Sequence, residues 1–152
     1  MGGRVITGGT TTTTTSTDGK YTLMLPSGTN QITLAPPVGY NIGTLNPFQV
    51  TVPTSTAVNF GLIDNISPQV TITSPSDNSI VSGTVNIAGE AQDLGSGINR
   101  VVIQINGSYL CTSYQLPFSC QWLVPTAPAV TYTLTAWAID HAGNKKPVSI
   151  KV

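Results

Sequence analysis

The chain has 152 residues, of which only 8% are charged, and its six Lys and Arg balance six Asp and Glu for a formal net charge of +0. A neutral, sparsely charged surface has no field to attract phosphates or an anionic bilayer, which excludes nucleic-acid binding as a function class. No run of about 18 apolar residues is present to span a membrane, and polarity rests on Thr, Ser, Asn and Gln, a palette of secreted and filamentous proteins.

Along the chain no segment carries the i, i+3, i+4, i+7 stripe of an amphipathic helix, whereas two-residue alternation recurs throughout, so the expectation is an all-β protein. The start, residues 1–5, lacks a charged region leading into an apolar one, and no signal peptide is read there. Arg4, Val5, Ile6 and Thr7 precede a threonine run, Thr10 to Thr15. The run fits a strand, because β-branched residues favour the pleat, or alternatively a glycosylated linker. Asp18-Gly19 signals a tight hairpin. Tyr21, Leu23 and Leu25 then alternate as a strand over residues 20–25, and Ile32 and Leu34 mark the next one. Pro36 and Pro37 stiffen a loop, because proline fixes φ and removes a donor. Phe48, Val50 and Val52 mark a further strand, as do Val58, Phe60 and Leu62.

Ser16-Thr-Asp-Gly-Lys-Tyr-Thr-Leu, Leu25-Pro-Ser-Gly-Thr, Pro37-Val-Gly-Tyr and Val58-Asn-Phe-Gly-Leu resemble the carboxypeptidase-regulatory-like and Cna B-type prealbumin-like modules of bacterial surface proteins, over about residues 10–62. Such modules begin with one or two more strands, so the resemblance implies a sandwich short of a strand. The stretch from Asn59 to Pro68 is a brief, stiff joint. Beyond it, Ser67-Pro-Gln-Val-Thr-Ile-Thr-Ser-Pro, Ile80-Val-Ser-Gly-Thr-Val, Ala91-Gln-Asp-Leu-Gly-Ser-Gly-Ile, Pro117-Phe-Ser-Cys-Gln-Trp and Ala138-Ile-Asp-His-Ala-Gly-Asn resemble a bacterial Ig-like domain over about residues 67–152. That likeness implies a sandwich of about seven strands. The expected architecture is two tandem β-sandwiches, a partial prealbumin-like module at residues 1–63 and an Ig-like sandwich at residues 64–152.

Cys111 and Cys120 are the only cysteines. In a hairpin centred between Gln115 and Leu116 they lie directly opposite, at a Cα separation of roughly 4.5 to 5.5 Å, within disulfide range. The other reading is two buried free thiols. The single histidine, His141, excludes a multi-histidine metal site within one chain, and Asp140 beside it points to the opposite face, so it serves no catalytic triad. Paired carboxylates for glycoside hydrolysis would have to come from Asp18, Asp64, Asp77, Glu90, Asp93 and Asp140, most of which lie in turns with no cleft-forming insertion. No enzyme and no cofactor are expected. Asp93, Asp140 and Asn144 form a weak metal candidate, three oxygen donors toward a Ca²⁺ that takes six to eight; the competing reading has them bond their own turns. Parity places Trp137 and Ile139 on the outer face of their strand, as a docking patch for polysaccharide or a protein subunit or else as a surface packed under a loop. Trp122 shares parity with Cys120 and is expected in the core. Asn65-Ile-Ser67 and Asn106-Gly-Ser108 fit the N-glycosylation sequon.

The functional expectation is an extracellular or cell-surface structural or adhesive protein, a stalk or filament subunit. Its partners are copies of itself or other surface-protein modules, with no membrane insertion. An incomplete first module exposes unpaired backbone, and the segment Arg4, Val5, Ile6, Thr7 is the candidate strand to be donated head-to-tail. The alternative is a carbohydrate-binding or accessory spacer module of a larger secreted enzyme.

Overall fold

The computed structural model describes residues 2–43, 46–54, 57–126 and 130–152. Among them no helix is long and apolar enough to cross a membrane, and all regular structure is β. The chain divides into two compact units, Met1–Asp64 and Asn65–Val152.

In the first unit β1 (Val5–Gly8), β2 (Thr11–Thr14), β3 (Gly28–Leu34) and β5 (Phe48–Val52) form an antiparallel sheet of order β2-β1-β3-β5. The threonine run thus becomes an edge strand, paired from Val5↔Thr14 to Gly8↔Thr11. One face of this sheet buries Ile6, Ile32, Leu34 and Val50. Asn46 extends the β3 ladder with its side chain, accepting from the Leu34 N–H at 3.0 Å and donating to the Leu34 carbonyl at 3.2 Å. β4 (Tyr40–Ile42) and β6 (Leu62–Asp64) pair only with each other.

Two expected strands differ from the sequence reading. The turn at Asp18-Gly19 forms, with Gly19 at φ 82° and the Ser16 N–H bonded to the Lys20 carbonyl at 2.8 Å. Beyond it, residues 20–25 join no sheet. The reason is where the turn sends the chain: a Cβ placed on Gly8 would lie 2.6 Å from both Leu23 Cδ2 and Leu25 Cδ2, so the segment crosses the face of β1 rather than running along an edge. Val58 and Phe60 likewise lie outside any strand, and only Leu62 enters β6. Both segments keep the two-residue alternation, with Tyr21, Leu23, Leu25, Val58 and Phe60 turned to the core and Thr22, Met24 and Asn59 to solvent.

The second unit is a sandwich of two sheets. One has the order β11-β8-β7, from β7 (Gln69–Ser74), β8 (Thr84–Gln92) and β11 (Phe118–Leu123). The other has the order β10-β9-β12-β13, from β9 (Ile98–Ile105), β10 (Ser108–Ser113), β12 (Thr133–Asp140) and β13 (Lys145–Lys151). Asn106 and Gly107, at φ 49° and 80°, link β9 to β10 by the two-residue type I′ turn their sequence specifies. Ile87, Val101, Ile103, Phe118, Leu134, Ala136 and Ala138 are wholly buried between the sheets. Trp122 is core as expected, edge-on to Tyr132 with ring centroids 5.1 Å apart. Close packing dictates Gly89: a Cβ there would fall on the Thr71 carbonyl oxygen and the Phe118 ring.

Candidate functional site

Cys111 and Cys120 form a disulfide with a Cα separation of 6.6 Å. The hairpin expected to place them does not exist. β10 pairs with β9, and β11 pairs with β8, so the cysteines belong to different sheets. Cys111 stands opposite Ile103 and Cys120 opposite Ile87, two residues with no exposed surface, and a register shift between Tyr109 and Cys111 turns Cys111 to that inner face. The bond is therefore a staple across the sandwich.

Parity held for the outer face of β12. Trp137 and Ile139 alternate with buried Ala136 and Ala138. Trp137 stands across from Val102 on β9 and Pro147 on β13. Its indole N–H donates to Gln104 Oε1 at 3.1 Å, and Lys145 Nζ lies 5.7 Å from the ring centroid, a cation–π distance. The ring is half-buried between these neighbours.

Asp93 and Asp140 come together, with carboxylate oxygens within 4.8 Å. Both are engaged in their own turns. Asp93 Oδ2 accepts from the Gly95 and Gly97 N–H groups at 3.0 and 2.8 Å. Asp140 accepts from the Asn144 N–H and from Asn144 Nδ2, each at 2.8 Å, and Nδ2 also donates to the Ile66 carbonyl at 3.3 Å. Asn144 thus presents its amide N–H groups to the carboxylate, the geometry of a turn clasp. Asp93 Oδ1 is buried without a hydrogen-bond partner. His141 is exposed, and its Nδ1 lies 3.1 and 3.0 Å from the Ser96 and Gly97 carbonyls, which fixes it to that turn.

The segment Arg4, Val5, Ile6, Thr7 is not free to be donated. It runs into β1, held between β2 and β3, and Ile6 at 1% exposure is the best-buried side chain of its unit. Withdrawing it would remove the middle of the first core.

The open feature of the first unit lies elsewhere. Residues 18–23, Leu25 and residues 57–59 line one groove of about 1090 Å³, with Leu23, Leu25, Ile32, Val50 and Val58 as its apolar floor. Among the described residues, 21–25 and 57–60 make no backbone–backbone hydrogen bond. A side chain links the two sides: the Tyr21 hydroxyl donates to the Val58 carbonyl at 2.9 Å. Burial pushes the Tyr21 pKa above its ordinary value. The charged residues at the rim, Asp18 and Lys20, pair with each other at 3.0 Å, leaving the groove neutral. Sequence reasoning missed this arrangement, because the Asp18-Gly19 turn signals a hairpin partner for residues 20–25 that the fold does not supply.

No curated protein matches the chain. A solved structure of fibronectin(III)-like modules of Clostridium thermocellum CbhA is 23% identical, covers 55% of this chain and 92% of its own, and superposes with a TM-score of 0.48. Residues 68–136, within the disulfide-stapled second unit, match the family model described as the bacterial Ig domain.

Proposed function

We propose that the chain is a non-enzymatic structural module of an extracellular or cell-surface protein, a stalk or filament subunit joined to its neighbours by a β-strand accepted into the first unit. The first unit is read as a partial prealbumin-like module. What supports this most is the unpaired backbone on either side of its groove, at residues 21–25 and 57–60. Backbone donors and acceptors are obligatory hydrogen-bonding groups, and a row of them is a template for another strand. The Ig-domain match over residues 68–136 supports a spacer role for the second unit, and its disulfide supports an oxidising compartment outside the cell. Light scattering and electron microscopy of the concentrated protein test the reading. Concentration-dependent growth into fibres is expected. A monodisperse monomer with no fibres would overturn self-assembly, and retention on polysaccharide lost in Trp137→Ala would replace it with the accessory-module reading.

A further inference from the structure

We infer that the groove of the first unit is a strand-acceptor site that takes one uncharged, extended peptide strand from another polypeptide, inserted between residues 20–25 and 57–60 and paired on both sides. This rests on the strand-donation reading and specifies its occupant. The two segments are joined across the groove by a tyrosine side chain and one 2.9 Å hydrogen bond instead of by backbone. The bridge is made by a side chain, so the main-chain edges of both segments stay open to an inserted strand. Both flanks already have strand periodicity, because Tyr21, Leu23, Leu25 and Val58 face the core, and among the described residues, 21–25 and 57–60 make no backbone–backbone hydrogen bond.

The occupant's chemistry follows from the walls. The floor is aliphatic, formed by Leu23, Leu25, Ile32, Val50 and Val58, so every second side chain of the strand is aliphatic. The opposite face meets solvent beside Thr22, Met24 and Asn59, so the intervening residues are solvent-exposed and polar. The Asp18–Lys20 pair consumes the charge at the rim, so no charged residue is called for along the strand. Residues 21–25 at about 3.3 Å per residue offer a ladder of about 17 Å, enough for about five residues. The Tyr21 hydroxyl occupies the Val58 carbonyl until a strand N–H replaces it.

The test uses the full chain and a synthetic peptide in which Thr and Val alternate over seven residues, with a terminal Lys at each end for solubility. Amide hydrogen exchange is followed residue by residue. With peptide at about 1 mM, exchange at residues 21–25 and 57–60 is expected to slow by about tenfold or more. The same peptide with Pro at alternate positions, which removes the donors, is expected to give no slowing. Unchanged exchange with the Thr-Val peptide would overturn the site, as would full protection of these amides in the free monomer. Protection that grows with protein concentration and no peptide supports the site and makes a second copy the donor. Peptide-dependent protection in a protein that remains monomeric supports the site while overturning self-assembly.

Discussion

The two units use the same grammar, alternating apolar and small polar residues broken by Gly, Asn and Pro turns, yet they differ in how far the backbone follows the side chains. In the second unit each stretch of alternation from Gln69 to Lys151 lies in a ladder, and the wholly buried residues come from both sheets. In the first, Tyr21, Leu23, Leu25, Val58 and Phe60 cover the sheet as a second layer would, but among the described residues the only strand pairing outside the four-stranded sheet is the short β4–β6 pair. Alternation therefore reports which face of a segment is buried and says nothing about whether its edges have partners. A sandwich can be half-completed in its apolar contacts while its hydrogen bonding remains open.

The largest expected effect separates the units outright. Phe118 has no exposed surface and packs against Gly89. Phe118→Ala should cost about 3 to 5 kcal/mol in the second unit's unfolding, leaving the first transition in place. Ile6→Ala, by the same logic, should cost about 2 to 5 kcal/mol in the first unit alone. Denaturant unfolding followed by residue-resolved probes checks both, and a single shared shift would show that the units do not unfold independently.

Next in size is the staple. Cys111 and Cys120 close a short loop, nine residues apart in sequence, for which the chain-entropy account gives about 2 to 3 kcal/mol. Reduction, or Cys111→Ser with Cys120→Ser, should lower the second unit's midpoint by that amount and leave the first unchanged. Asp140→Ala should follow at about 1.5 to 3 kcal/mol, because the carboxylate is 2% exposed and accepts two bonds from Asn144. If those bonds are what the turn needs, excess chelator should leave the second unit's midpoint where it was; a drop would instead assign Ca²⁺ to Asp93 and Asp140.

Much of the second unit was legible because its signals are local. Asn106-Gly107 specifies its turn through two positive φ angles, and the parity of Ala136 and Ala138 places Trp137 outside. The pairing of Cys111 with Cys120 was legible and its geometry was not. Phe118 to Trp122 alternates equally well in a hairpin with β10 or in a ladder with β8, and periodicity does not say which sheet a strand joins. The same blindness hid the groove. Residues 20–25 read as a strand from their side chains, and only the three-dimensional path over Gly8 reveals that no neighbour lies beside them. Arg4 to Thr7 is the candidate donated strand because the resemblance leaves the first module short of a strand, while Ile6, an aliphatic residue in a β-branched stretch, carries the contrary signal.

The smallest effect bears most directly on the open side. Tyr21→Phe keeps the ring over the core and removes the one hydrogen bond across the groove, at a cost of about 1 kcal/mol in the first unit. It also tests the sign of a pH effect. Burial raises the folded-state pKa of Tyr21 above its ordinary value of 10.0, so the folded form holds its proton more tightly than the unfolded form. That contribution is complete below about pH 10 and is lost as pH rises through the folded value. The first unit should therefore weaken in alkali more steeply in the wild type than in Tyr21→Phe, measured as the difference between midpoints at about pH 8 and pH 11. Occupation of the groove by a strand should remove the difference, because a strand N–H then satisfies the Val58 carbonyl without the hydroxyl. Wild type and Tyr21→Phe would converge in stability when peptide is bound, and a persistent gap would mean that the tyrosine bridge stays closed and the strand lies elsewhere.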